Sequence, residues 1–225
     1  EYVPDSQTLK LKITEHIVAK ESLSGKELLA QLMLNSILIA EEQKVKEADQ
    51  IAINDINSVT SRSLTDPAFA SLPPAEQEEV RAKLKQKEAY FQMLKRIGAV
   101  EGDYNPDQDI DNSAALAKVQ TLIAENKLQT GQFINEFGQV FGDDPKGARA
   151  RLNMMVDARR GLAKIKHLIN KVEKSGDYEA IANAVIAGKT EQYITQAMSD
   201  FKYDLAPLEE QLFDHEAEEE REKHD

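Results

Sequence analysis

A chain of 225 residues without cysteine excludes disulfides, thiolate catalysis and thiolate metal sites. Its net charge of −12 disfavours broad binding to nucleic acid or to anionic membranes. Hydrophobic residues make up 41% of the chain, enough for a packed core, and only 10 glycines and 7 prolines interrupt it, so composition predicts an all-α fold.

Two patterns near the N-terminus predict an arm followed by one long helix. Apolar and polar side chains alternate over residues 8–14, which is typical of a short strand or an extended arm, while a helix over 5–20 is the alternative. Ser24 and Glu27 form a capping box, after which apolar residues recur at helical spacing without a proline. We therefore expect a single helix over 24–63.

A proline-rich break separates this helix from the next one. Asp66-Pro67 and Pro73-Pro74 cannot lie inside a helix, and Pro74 suits the first position of a new one. Gly98 is the predicted left-handed cap at its end. We expect the two helices to pack as a long antiparallel hairpin, which with the arm forms a predicted domain over 1–100.

Shorter helices after residue 100 predict a compact multi-helix bundle over 101–215. Asp111 or Asn112 caps the first of them, and Thr130 begins the next, which holds three of the seven phenylalanines and is expected to be buried. The last residues, 216–225, are mostly acidic and offer no apolar face. They predict a disordered acidic tail.

The loop between the two halves has the composition of a cation site. Its candidate metal ligands are Asp103, Asn105, Asp107, Asp109 and Asp111. Oxygen ligands at alternate positions of one turned loop suit a hard cation. The twelve residues 103–114 resemble the calcium loop of the EF-hand family, and this resemblance implies Ca²⁺ as a cofactor. Gln108 stands where that family has its turn glycine, and Ala114 where it has a bidentate glutamate. The alternative is an acidic interhelix loop whose Asp111 or Asn112 caps the next helix.

Basic residues concentrate in the helix predicted to start at 143–145 and to run through Lys174. Nine basic and two acidic residues lie between positions 146 and 174, and the basic stripe along it consists of Arg149, Arg160, Lys164 and Lys171. This stripe is either a surface for an acidic partner or a solvated face balanced by the acidic C-terminal segment. No aromatic residue in this stretch could stack on bases, so we expect no nucleic-acid binding.

The combined features predict a non-enzymatic helical interaction protein, such as an adaptor, a scaffold or a structural subunit. By analogy of composition alone, the chain resembles components of bacterial secretion systems and of phage particles, which often have this profile. Apolar side chains cover more than one stripe of the 24–63 helix, so part of it needs a neighbour. The candidate partner-binding residues are Leu28, Leu32, Leu34, Ile37, Ile39 and Val45. A calcium-responsive binding module and an enzyme with a dispersed site are the alternatives.

The expected partner is another protein or a second copy of the chain. No stretch reaches the roughly 20 apolar residues of a membrane span, so we expect none. The first residue is Glu1 and not methionine, so we expect a fragment or a processed product, and a soluble protein that is either cytoplasmic or exported.

Overall fold

The computed structural model describes residues 25–142, 147–199 and 201, and every regular element within these ranges is a helix. The first five are α1 (Gly25–Ile51), α2 (Asn54–Asn57), α3 (Arg62–Thr65), α4 (Pro67–Ala70) and α5 (Pro74–Arg96). The next five are α6 (Asn112–Ala124), α7 (Thr130–Phe141), α8 (Gly147–Ser175), α9 (Glu179–Ile186) and α10 (Thr190–Ala197). The predicted all-α class is confirmed.

Several predictions fall outside the described residues. They are the strand or arm over 8–14, its helical alternative over 5–20, the cap at Ser24, the helix start at 143–145 and the tail over 216–225.

The chain divides into two compact units. Among the described residues, the first unit comprises 25–45, 157–199 and 201, and the second comprises 46–142 and 147–156. Both α1 and α8 contribute residues to each unit. The predicted boundary at residues 100–101 lies inside the second unit, because the chain passes from one unit to the other within these two long helices.

Three helices supply the core of the first unit. Leu34 and Leu38 of α1 pack with Leu168 and Ile169 of α8 and with Ile181 of α9, and all five are buried. Residues four apart lie on the same side of a helix, so Leu34 and Leu38 form one continuous apolar face. Burying a side chain of this size contributes about 1.5–3 kcal/mol.

An aromatic cluster is central to the core of the second unit. Phe133, Phe137 and Phe141 follow one another at four-residue spacing on α7, and all three are buried, as predicted for this helix. Tyr90 of α5 lies against two of them, with ring centroids 5.7 Å from Phe137 and 5.1 Å from Phe141. Helix α5 therefore packs against α7 through aromatic rings.

The predicted single helix over 24–63 is wrong in its C-terminal part, because α1 ends at Ile51. The chain turns at Ala52 and Ile53 before the short α2 begins. Isoleucine and asparagine, which are frequent here, have modest helix propensity, so tertiary contacts can redirect the backbone. Ile53 and Ile56 enter the core of the second unit, where α2 packs against α5.

Two predicted helix ends are confirmed, and they fix both ends of the loop between α5 and α6. Gly98 has a φ of 88°, and the N–H of Ala99 donates to the carbonyl of Leu94 at 2.8 Å, as in a Schellman cap. At the other end, Asp111 accepts a hydrogen bond from the N–H of Ala114 at 3.0 Å and caps α6.

Candidate functional site

The loop over residues 97–111, hereafter the 97–111 loop, is anchored by two amide side chains, Gln50 at the end of α1 and Asn57 on α2. Asn57 Nδ2 donates to the carbonyl of Ile110 at 3.0 Å, and Asn57 Oδ1 accepts from the N–H of Ile110 at 2.8 Å. Gln50 Nε2 also donates to the carbonyl of Ile110, at 3.2 Å. Both backbone groups of Ile110 are thus satisfied in a buried position, which holds the end of the loop in place.

The buried side chain of Asn112 connects the start of α6 to two neighbouring helices. Its Nδ2 donates to the carbonyl of Asp49 at 2.7 Å, and its Oδ1 accepts from the hydroxyl of Tyr90. Its backbone N–H donates to Gln50 Oε1 at 2.7 Å. Because buried amides are costly when unpaired, this set of partners favours one arrangement of the three segments.

A fully buried lysine lies beneath the same loop. Lys87 Nζ of α5 donates to the carbonyl of Val59 at 3.1 Å and to that of Pro106 at 3.0 Å. Burial lowers the pKa of Lys87 from its ordinary value, and the nearby Asp109 and Asp107 carboxylates partly oppose this. Lys87 thereby ties the 97–111 loop to the segment that follows α2.

Replacing Lys87 with methionine should destabilise the protein by about 2–3 kcal/mol, because the buried carbonyl of Val59 and the partly buried carbonyl of Pro106 would lose their donor. Since the lysine pKa is lowered in the folded chain, the unfolded chain binds the proton more strongly. Wild-type stability therefore gains a contribution as pH rises through the lowered folded-state pKa of Lys87 toward the ordinary lysine value of about 10.4. Lys87→Met should lack this rise. Urea unfolding at neutral and alkaline pH measures both effects.

The matched control for this test is Lys85→Met, an exposed position on the same helix. It should leave stability within about 0.5 kcal/mol of wild type and keep the wild-type pH dependence. An unchanged stability in Lys87→Met, or the same pH dependence in both variants, would contradict the anchoring role of Lys87.

Three of the five predicted calcium ligands have separate hydrogen-bonding roles in the structure. Asp107 accepts hydrogen bonds from the hydroxyl and N–H of Ser61, Asn105 Oδ1 accepts from the N–H of Asp107 at 2.9 Å, and Asp111 caps α6. Within the described ranges, no group of three or more His, Cys, Asp or Glu residues is placed to hold a metal ion. The calcium resemblance, and the calcium-responsive module built on it, stay predictions without support from side-chain geometry.

A pocket of about 290 Å³ opens beside the 97–111 loop. Two aromatic rings in its lining, Phe91 and Tyr104, have centroids 5.5 Å apart. The other apolar lining residues are Ala99, Val100, Ile110, Ala114 and Ala115. The carboxylates that line it are Glu101, Asp103, Asp109 and Asp111. Four of the five predicted calcium ligands therefore line one pocket, with Asn105 among them and Asp107 outside it.

The six predicted partner-binding residues differ in exposure. Leu32 is 49% exposed and Ile39 is 37% exposed, whereas Leu34 is 1% exposed and serves the core of the first unit. The half-buried members are Leu28, Ile37 and Val45. Of the six, Leu32 and Ile39 are therefore the most accessible to a partner. They lie seven residues apart, which places them on the same side of α1.

The basic side chains of α8 lie in different environments. Arg151 is buried, and its Nη1 and Nη2 pair with the two carboxylate oxygens of Asp55 at 2.7 and 2.8 Å. In the predicted basic stripe, Arg160 contacts Asp157 at 3.4 Å, and Lys171 donates to the carbonyl of Ala197 at 3.3 Å. The expected absence of nucleic-acid binding stays a prediction.

Sequence reasoning missed the two buried cations, although their positions carried a signal. Lys87 stands between Leu84 and Phe91, at the i+3 and i+4 spacing of an apolar helix face. Arg151 stands in the same way between Ala148 and Met155. A charged residue at an apolar register position predicts a buried group that needs partners.

Comparison of the chain with protein families, with curated proteins and with solved structures finds no match. Among the described residues, no helix is both long enough and apolar enough to cross a membrane.

Proposed function

We propose that the chain is a non-enzymatic helical interaction component, an adaptor, scaffold or structural subunit, which docks a second protein chain on the outer side of α1. The observation that carries this proposal is the exposed pair Leu32 and Ile39 on a helix whose opposite side packs as core through Leu34 and Leu38. One exposed leucine is ordinary in a folded protein. Two large apolar side chains in line along a helix, seven residues apart, match the anchor spacing of helix–helix docking.

The chemistry of α1 indicates what kind of surface the partner presents. Residues 28–40 contain no charged side chain, and the exposed Ser36 lies between the two anchors. A charged partner surface would lose its hydration here without gaining an opposite charge, so the partner is expected to offer an uncharged apolar helix face. A small residue between the anchors favours close approach of the two helices.

The proposal predicts that Leu32→Asp with Ile39→Asp abolishes the complex without unfolding the chain. In an extract of the source cells, the wild-type chain should elute in a complex heavier than its own 25.2 kDa, and the double variant should elute as the free chain. Losing two apolar anchors of about 1.5–3 kcal/mol each would weaken binding by a hundredfold or more. Light scattering gives the masses, and circular dichroism checks the fold.

Leu64→Asp is the matched control, because Leu64 is an exposed leucine that belongs to the second unit, whereas Leu32 and Ile39 belong to the first. That variant should retain the complex. A wild-type chain that elutes at its own mass in the extract, or a folded double variant that keeps the heavier mass, would contradict docking through α1.

A further inference from the structure

We propose that the pocket beside the 97–111 loop accepts an arginine or lysine side chain from a basic segment of a protein partner. The pocket belongs wholly to the second unit, and this proposal does not depend on docking at α1. It assigns a ligand class to a site whose acidic residues, by sequence alone, resemble those of a calcium loop.

The apolar part of the pocket suits the aliphatic stem and the cationic end of such a side chain. Phe91 and Tyr104 offer two neighbouring rings, and Ala99, Val100 and Ile110 extend the apolar surface. Long basic side chains bury their methylene groups against surfaces of this kind while the charged end stays near polar groups. A guanidinium or ammonium over an aromatic ring gains about 0.5–2 kcal/mol.

The charge around the pocket is complementary to a cation. Four carboxylates line it and no basic side chain does, although the exposed Lys95 lies 3.8 Å from one of them, Asp103. Lys87 lies beneath the loop and offsets part of the charge of Asp107 and Asp109. Burial and the nearby Glu88 and Asp107 carboxylates raise the pKa of Tyr104, as expected where the local potential is negative.

The pocket is already formed in the free chain. Three sets of contacts hold the loop in place. They are the cap at Gly98, the hydrogen bonds between Asn57 and Ile110, and the two hydrogen bonds of Lys87. A fixed site avoids the entropy cost of ordering a loop on binding. Its volume of about 290 Å³ lies just below the roughly 300–1,000 Å³ of pockets for drug-sized ligands, so it fits one side chain better than a cofactor.

The test uses two peptides that differ only in charge. Acetyl-Gly-Arg-Gly-amide is titrated into the ¹⁵N-labelled full chain, and the same peptide with citrulline in place of arginine serves as the neutral isostere. The arginine peptide should shift the amide resonances of residues 99–111 with a millimolar dissociation constant. The citrulline peptide should bind about tenfold more weakly, because it keeps the shape and loses the charge. Equal binding of both peptides, or no shift within residues 99–111, would overturn the proposal.

Charge-matched variants separate the pocket from the general acidity of the chain. Glu101→Gln with Asp109→Asn should weaken binding of the arginine peptide about tenfold. Glu76→Gln with Glu191→Gln removes the same charge at exposed positions that do not line the pocket, and should leave binding within about twofold. Ala114→Phe fills the pocket at unchanged charge and should abolish binding. Equal weakening by both charge pairs, or binding retained in Ala114→Phe, would contradict a pocket.

The two proposals can fail separately. Leu32→Asp with Ile39→Asp alters only the first unit and should bind the arginine peptide like wild type. If that variant loses peptide binding while it stays folded, the pocket is not the independent site proposed here.

Discussion

Replacing Arg151 with methionine should lower the free energy of unfolding by about 3–5 kcal/mol, because the change removes one member of a largely buried ion pair with Asp55. The guanidinium pairs with both carboxylate oxygens and also donates to the carbonyl of Ala52 at 2.7 Å. It lies 4.4 Å from the centre of the Phe141 ring. One substitution thus removes an ion pair, a buried hydrogen bond and a cation–π contact.

A double-mutant cycle isolates the ion pair from the other contacts. Asp55→Leu combined with Arg151→Met should recover much of the loss, since a buried pair replaced by apolar residues is often neutral. Lys85→Met, at an exposed position on α5, is the control and should change stability by less than about 0.5 kcal/mol. Urea denaturation of wild type, Asp55→Leu, Arg151→Met and the double variant completes the cycle, and the control is measured in the same way. A loss below 1 kcal/mol in Arg151→Met would show that the pair does not hold α8 to α2.

Replacing Phe137 with alanine should cost about 3–5 kcal/mol, the usual range for a buried phenylalanine. Its ring contacts three others, with centroids 5.7 Å from Tyr90, 5.7 Å from Phe133 and 4.6 Å from Phe141. These contacts surround the ring within the core of the second unit, so the neighbours could close the resulting cavity only in part.

Two further variants serve as comparisons for Phe137→Ala, namely Phe137→Leu and Phe69→Ala. Leucine keeps most of the buried volume and should cost less than half as much as alanine. Phe69 is half-buried on α4, where it lies against Arg81, so Phe69→Ala should cost about 1 kcal/mol. Thermal or urea unfolding measures each difference. If Phe137→Ala is no more costly than Phe69→Ala, the aromatic cluster is not central to stability.

The parts of the fold that sequence could predict are those governed by local chemistry. Gly98 and Asp111 were predicted as helix ends because a left-handed glycine and a capping aspartate act within a few residues of themselves. The phenylalanines of α7 were predicted to be buried because their four-residue spacing allows one apolar face. The all-α class follows from composition in the same way.

The end of α1 could not be predicted, because distant residues decide it. Gln50 and Asn57 bond to Ile110, some fifty to sixty positions further along the chain. Residues around Ile53 have no strong helix preference, so these long-range bonds and the core of the second unit select a turn where apolar periodicity predicts continued helix. The same limitation applies to Arg151, whose partner Asp55 lies almost a hundred residues earlier.

The candidate site was predictable in composition and not in shape. The acidic residues of the 97–111 loop stand out in the sequence, yet their spacing predicts only a cation ligand set or an acidic interhelix loop, and neither implies a pocket. The pocket arises because Phe91 and Tyr104 meet across the turn at Gly98, a contact that no local pattern encodes. On α1, the sequence predicts that Leu34 binds a partner together with Leu32 and Ile39. Leu34 instead packs in the core of the first unit, which depends on residues of α8 and α9 that lie far along the chain.

The most direct test of docking through α1 is chemical accessibility at Ser36, the exposed residue between Leu32 and Ile39. The chain has no cysteine, so Ser36→Cys creates a single thiol, and Asn183→Cys on α9 provides an exposed control in the same unit. Alkylation rates are measured for the free chain and for the assembly isolated from source cells. Docking through α1 predicts that Ser36→Cys reacts more slowly in the assembly while Asn183→Cys is unchanged. Equal rates at Ser36→Cys in both states would contradict it.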